Sequence, residues 1–322
     1  MTLQAPFPWF GGKSRAASEV WQRFGDAPNY VEPFFGSGAV LLGRPHPPGI
    51  ETANDKDGFV SNFWRALQHD PEATADHADW PVNENDLHAR HVWLKERRST
   101  LAARLEGDPD YFDAKIAGWW VWGMACWIGG GFCGDSGSGP WDVANGQLVH
   151  LGDAGQGVSR RRVHLGNAGQ GVSRRRGLLD WFEALSERLR FVRVCCGDWL
   201  RILGPSPTVK QGITGVFLDP PYSEEAEREA ALYSEDDLAV AHAVRDWAVA
   251  NGDNPELRIA LCGYEGEHQM PPSWAVHEWS TSGGYAKLGS GRGMENRHRE
   301  RIWFSSACLR ERQPSLWAEG AT

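Results

Sequence analysis

At 322 residues the chain is long enough for one large domain or two unequal ones, and a hydrophobic fraction of 41% provides for a sizeable core. A formal charge of −9 excludes a protein whose whole surface binds nucleic acid, although a local basic strip remains open. Six cysteines (126, 133, 195, 196, 262 and 308) form no C-x-x-C pair, so neither a zinc site nor a disulfide framework is expected; reduced thiols suit a cytosolic protein.

The N-terminal MTLQAPFPWFGGK carries no apolar signal core. Within it, Gly12-Lys13-Ser14 looks like the end of a phosphate-binding loop. That motif needs a glycine where Phe7 stands, and no strand precedes it, so the triphosphatase reading fails. Next comes strand, turn, helix, strand, helix. Tyr30-Val31-Glu32 reads as a strand, Phe34 to Ser37 as a glycine-containing turn, and Ala39 to Leu42 as a helix start. Ile50 to Ala53 is a second strand and Gly58 to Leu67 a helix. Gly36 and Gly38 would let the backbone approach a nucleoside at the carboxyl end of the first strand. Asn54-Asp55 follows the second strand, where an acid commonly takes ribose hydroxyls; Asp55 could equally cap the next helix.

Between about 80 and 177 the composition changes. Charged helical segments span 83–106, and residues 116–134 carry no charge, long enough to raise a membrane span. Gly129-Gly130-Gly131 limits the helix to roughly Ala114–Ile128, so a buried Trp-rich helix is expected. Its Trp119, Trp120, Trp122 and Trp127 read as core packing rather than a base-stacking platform. Residues 149–162 and 163–176 then repeat in tandem, VHLGDAGQGVSRRR and VHLGNAGQGVSRRR, differing only at Asp153 against Asn167. Two such units are too few for a solenoid. Turns in a hairpin or paired loops are expected. Arg160, Arg161, Arg162, Arg174, Arg175 and Arg176 would suit phosphate contact, or the duplication only lengthens a surface loop.

From about 178 the αβ alternation returns, with helices at Leu178–Arg190 and Glu235–Ala250. Strands are expected at Phe191–Cys195, Gly215–Leu218, Arg258–Cys262 and Arg301–Ser305. The fold class is therefore α/β, a sheet covered on both faces. Residues 1–80 and 178–310 form one discontinuous domain, and 81–177 is an inserted, mainly helical and loop region.

The most specific motif is Asp219-Pro220-Pro221-Tyr222, directly after the apolar Val216-Phe217-Leu218. A carboxylate at a strand's carboxyl end projects into the ligand crevice. Two prolines remove two N–H donors and leave nearby carbonyls unpaired. An aromatic ring follows. The set suits an exocyclic amino group: Asp219 and the Pro220 carbonyl accept its hydrogens while Tyr222 stacks on the base. The bland alternative is a Pro-Pro turn with a capping Asp.

With PWFGGK, EPFFGSGAV, ANDKD and FLDPPY in that order, the chain resembles the Dam-type DNA adenine methyltransferases, particularly their phage-encoded relatives. The resemblance implies a Rossmann-like methyltransferase sheet with 1–80 and 178–310 as its catalytic domain, S-adenosylmethionine as cofactor, double-stranded DNA as partner, a cytoplasmic place of action, and an insertion at 81–177 that recognises the target. It further implies that Trp9, Gly12 and Lys13 line the cofactor pocket and that Glu32, Phe34, Gly36 and Gly38 lie along the cofactor. Asp55 would bind its adenosine part, Asp198 would stand beside its adenine, and Asp219 would touch the target amine. The insertion matches in position only. Base flipping is expected, followed by in-line attack of the amino nitrogen on the sulfonium methyl. No metal is required. Cytosine-N4 or RNA methylation, or DNA binding without catalysis, are the alternatives.

Other residues are read as bland. His46, His88, His91 and His242 share no metal-ligand spacing. Ser37 has no evident His partner for a nucleophile role. Lys287, Arg292, Arg297, Arg299 and Arg301 form a second basic run that faces DNA or solvent.

Overall fold

A computed structural model describes residues 3–7, 9, 13–127, 132–134, 141–144, 147–150, 174–221, 235–278 and 300–310, with backbone alone for 141–150, 174–176 and 235–238. Helix α1 (Ala17–Phe24) leads into strand β1 (Asn29–Glu32), a glycine turn and the single-turn helix α2 (Ala39–Leu42). Strand β2 (Ile50–Asp55) is followed by α3 (Gly58–His69), α4 (Pro71–Ala78), α5 (Glu84–Lys95), α6 (Arg98–Gly107) and α7 (Ala114–Cys126). A hairpin of β3 (Trp141–Ala144) and β4 (Gln147–His150) comes next, then α8 (Arg174–Leu189) and β5 (Val192–Cys196). The last elements are β6 (Thr214–Leu218), α9 (Glu235–Asn251), β7 (Leu257–Tyr264), β8 (Ala275–Glu278) and β9 (Glu300–Phe304).

Seven strands form one sheet in the order β5-β2-β1-β6-β7-β9-β8. The first five in that order run parallel, and β9 is antiparallel to both its neighbours. Every residue of β1, β6 and β9 is buried, as expected for strands covered on both faces. Because β1 pairs with β2 on one side and β6 on the other, the chain reverses its direction of winding between β1 and β6. A parallel sheet opens a crevice at that switch point, outside the carboxyl ends of the strands.

The helical layer on one face explains the tryptophans. Asp113 caps α7 by accepting the Ile116 N–H at 2.8 Å. Along α7, Trp120, Trp122 and Val121 are buried, and Gly118 lies so close to α4 that a Cβ there would come within 2.4 Å of the His77 Cβ. The Trp-rich helix is therefore a core helix. Among the described residues, no helix is long and apolar enough to cross a membrane. Arg65 of α3 reaches across to donate to the carbonyls of Leu105, Asp108 and Pro109, fixing the end of α6.

Several expectations shift. Strand β2 continues through Asn54 and Asp55, which therefore belong to the strand instead of following it. The cap of α3 is Asp57, whose Oδ1 accepts the Phe59 N–H at 2.7 Å, and not Asp55. Helix α8 opens at Arg174, so the second arginine triplet lies in a helix rather than a loop. In the second basic run, Arg301 faces neither DNA nor solvent: it is buried in β9 and paired with Glu265 at 2.9 Å. Residues 287–299 and repeat residues 151–173 lie outside the described residues. Helices α1 and α4, the β3–β4 hairpin and β8 were not anticipated.

One buried charge cluster holds the β5–β2 side of the sheet to its helices. Glu51, 2% exposed, accepts from Arg188 at 2.7 and 2.9 Å and from Arg44 at 3.2 Å. Both arginines also donate to backbone carbonyls, Arg188 to Leu41 and Arg44 to Ala27. Removing one partner strands part of a buried charge, which costs about 3 kcal/mol. Arg188→Met is expected to lower unfolding stability by roughly that amount, measured by urea denaturation; a midpoint equal to wild type would show the cluster to be energetically neutral.

Candidate functional site

The crevice at the switch point is built from three strand ends and the N-terminal segment. Lys13, 4% exposed, points into it and pairs with Asp219 at 3.1 Å. Asp219 follows β6, and Pro220 and Pro221 continue from it. The parallel register sets Leu218 of β6 beside Leu261 of β7, which brings Cys262 next to Asp219. The Cys262 thiol hydrogen-bonds to Asp219 and is held protonated, first by burial and then by that carboxylate. Burial works against the charge on Lys13, but Asp219, Cys262 and Glu300 outweigh it and raise its pKa above the usual lysine value.

On the β1 side, Glu32 is buried and accepts the Tyr30 hydroxyl at 2.8 Å. Burial pushes its pKa well above the usual carboxylate range; the Tyr30 bond opposes this, while Asp219 and Asp55 add to it. Glu32, Phe34, Lys13 and Asp219 line one small pocket together with Trp9 and Phe217.

The glycine turn between β1 and α2 is held from below. Asp55 accepts the Gly36 N–H through Oδ2 and the Asp57 N–H through Oδ1, both at 2.8 Å. Asn54 donates to the carbonyls of Pro33 and Gly197, and its own carbonyl accepts from the Phe35 N–H. Asn54-Asp55 is thus a clasp joining the turn to the end of β5. Gly36 has φ +44° and Gly38 φ +63°, which suit glycine. A Cβ on Gly36 would come within 2.4 Å of Trp9 Nε1, and one on Gly38 within 2.7 Å of the Phe35 ring. Trp9 lies across the turn, and Trp64 Nε1 donates to the Gly36 carbonyl from beneath at 2.9 Å.

At the β5 end, Asp198 caps a short 3-10 helix, Trp199–Ile202, by accepting the Leu200 N–H at 2.8 Å. Trp199 stacks on Phe34, with ring centroids 6.2 Å apart and an interplanar angle of 29°. Most of the sequence-predicted residues therefore surround one crevice: Trp9, Lys13, Glu32, Phe34 and Asp219 line it, and Gly36, Gly38 and Asp55 form its glycine turn. Asp198 stands at its β5 edge. Gly12 and Tyr222 lie outside the described residues, as do Arg160, Arg161 and Arg162; Arg174, Arg175 and Arg176 are placed by backbone only. Sequence reading missed Tyr30, Asn54, Trp64, Trp199, Cys262 and Glu300. Only strand register brings Cys262 and Glu300 here, through the β6–β7 and β7–β9 pairings. Among the described residues no three His, Cys, Asp or Glu side chains gather to hold a metal.

Residues 9–106 match the family model described as D12 class N6 adenine-specific DNA methyltransferase. No curated protein matches the chain.

The clasp makes a pH prediction. Burial raises the Asp55 pKa from 3.8 to about 7; Asp57 adds to this, and the two backbone N–H bonds oppose it. Between those values the folded chain keeps a proton that the unfolded chain has lost, so this group's contribution to stability falls as pH rises. Asp55→Asn is expected to be less stable overall, having lost an acceptor. It is also expected to show a flatter decline in unfolding free energy between pH 4 and 7 than wild type. Parallel pH profiles would refute the assignment.

Proposed function

We propose that this chain, which belongs to the D12 class N6 adenine-specific DNA methyltransferases, carries out adenine-N6 methylation of DNA at the Asp219 end of β6, with S-adenosylmethionine held over the glycine turn. The observation that carries the reading is the Lys13–Asp219 pair at the mouth of the crevice, beside the turn and the buried Glu32. Methyltransferases generally draw on S-adenosylmethionine, and the residues present suit it. A Cβ would meet Trp9 at Gly36 and the Phe35 ring at Gly38, so the turn needs glycine at both positions, and acids stand at the ends of three adjacent strands, which favours a sulfonium cation. Trp9, Gly12, Lys13, Glu32, Phe34, Gly36, Gly38, Asp55 and Asp198 would hold it. When bound, it supplies a methyl group already activated by positive sulfur.

The chain's own residues orient the base. Family membership implies that the adenine is taken out of the duplex, at a cost of a few kcal/mol. Asp219 and the Pro220 carbonyl accept the amino hydrogens, which turns the nitrogen lone pair out of conjugation with the ring. A carboxylate offers about four lone-pair positions, so the bonds to Lys13 and Cys262 leave capacity for the amine. Tyr222 would stack on the base. Lys13 fixes the carboxylate's rotamer, and Tyr30 fixes Glu32 beneath it.

The DNA contact is proposed for Arg160, Arg161, Arg162, Arg174, Arg175 and Arg176 within the 81–177 region. Strand β4 ends on Val149-His150, the first residues of the repeat, and α8 begins at Arg174, inside its second copy. The repeat therefore begins in β4 and ends in α8.

Asp219→Ala and Asp219→Asn are expected to lower methyl transfer to DNA by at least about 100-fold, read as N6-methyladenine by mass spectrometry of digested DNA. Asp219→Asn keeps the side-chain shape and one acceptor oxygen but removes the charge and the second acceptor, so a folded Asp219→Asn protein with undiminished transfer would overturn this site.

A further inference from the structure

Away from the crevice, helices α4, α5 and α7 enclose a second hollow of about 400 Å³, within the range of small-molecule sites. Asp86, Arg90 and Trp93 sit on one face of α5 at helical spacing, Trp80 follows α4, and Trp119 comes from α7. Three features of its lining bear on what it could hold. The first is π-surface: Trp80, Trp93 and Trp119 all line it, and Trp80 stays 44% exposed, whereas Trp120 and Trp122 of α7 are buried. The Trp80 ring is fixed, because its Nε1 donates to Asp86 Oδ2 at 2.6 Å.

The second feature is an unmet donor. Arg90 is only 6% exposed, and its Cζ lies 4.8, 4.7 and 4.4 Å from the ring centroids of Trp80, Trp119 and Trp122. Its Nη1 is buried without a hydrogen-bond partner. Native structures rarely leave such a group unsatisfied. The third feature is acidity: Asp76 and Asp86 line the same hollow and would repel a phosphate-led ligand while accepting from amino groups.

We infer that this hollow is a second binding site, distinct from the methylation crevice, and that it takes a nucleobase. A base is planar and stacks on indole. It carries ring acceptors for the Arg90 guanidinium and N–H donors for the carboxylates. Guanine matches most fully, since O6 and N7 suit arginine and N1–H and N2–H₂ suit an acid. The base reaches the pocket either as a free nucleoside or as an unpaired residue of a DNA strand.

Titration calorimetry of the full chain, with saturating S-adenosylmethionine, tests this using guanosine and an oligothymidine strand carrying one guanine. Guanosine is expected to bind, and Asp219→Ala to leave that binding unchanged, which excludes the methylation crevice as its location. Trp80→Ala and Arg90→Lys are each expected to weaken it about tenfold or more. Loss of oligonucleotide binding in the same variants assigns the site to a base within a strand; guanosine binding alone assigns it to a free nucleoside. If neither probe binds, or if the Trp80→Ala chain binds as wild type, the proposal fails. Because Trp80 is substantially exposed, that variant is a fair test even if Arg90→Lys does not fold.

Discussion

A lysine that is 4% exposed has to be met by an opposite charge or give up its own. Lys13 is met by Asp219, and much of the site follows from that one contact. Among the described residues, 13–16 belong to no helix or strand, so the ion pair is what fixes Lys13 in place. The ion pair pins it to the carboxyl end of β6. Trp9, four residues earlier, is then laid across Gly36, and Phe7 packs edge-on against Phe63 and Trp120. The crevice thus acquires a wall that the sheet does not supply.

The other wall is set by strand topology. Glu32 ends β1, Asp55 ends β2 and Asp219 follows β6, and parallel pairing brings all three to the same edge. Burial itself makes ionisation costly for Glu32 and Asp55, and a nearby carboxylate adds to it (Asp219 for Glu32, Asp57 for Asp55), so both hold protons more tightly than free carboxylic acids. The fold spends hydrogen bonds to keep this arrangement: the Tyr30 hydroxyl on Glu32 and two backbone N–H groups on Asp55. An acid-rich crevice containing a buried lysine is a poor design for stability alone. It suits a reaction in which a cationic donor and an amino group must be held side by side.

What could be read from the sequence was what depends on local pattern. Apolar runs marked β6 and β7, the glycine turn marked the β1 end, and Asp219-Pro220-Pro221 marked the edge proposed for catalysis. Features created by tertiary partners were out of reach. Asn54 and Asp55 look like a loop because they are polar, yet they finish β2 because the glycine turn supplies bonds for their side chains. Strand β8 lacks an apolar face, its four residues being mostly exposed, so alternation could not reveal it. Arg301 sits in a run of basic residues, but its pairing with Glu265 turns it inward. Helix α4 was legible in principle, with Asp70 as cap and Pro71 at the first position, and was passed over.

The same division separates chemistry from recognition. The residues proposed for methyl transfer sit on strand ends and a strained turn, where backbone geometry leaves little latitude for substitution. The proposed DNA contacts hang from β4 and α8, and the tryptophan-lined hollow belongs to helices outside the sheet. The 14-residue duplication adds three arginines between the start of β4 and the body of α8. Helix α6 is tied to α3 independently at both ends, by Arg65 on the carbonyls that end α6 and by Arg98 on Asp57 at the start of α3. On the proposed assignment, variation in the repeat alters which DNA is engaged while the acids, the lysine and the glycine turn keep the geometry that the sheet and the N-terminal segment give them.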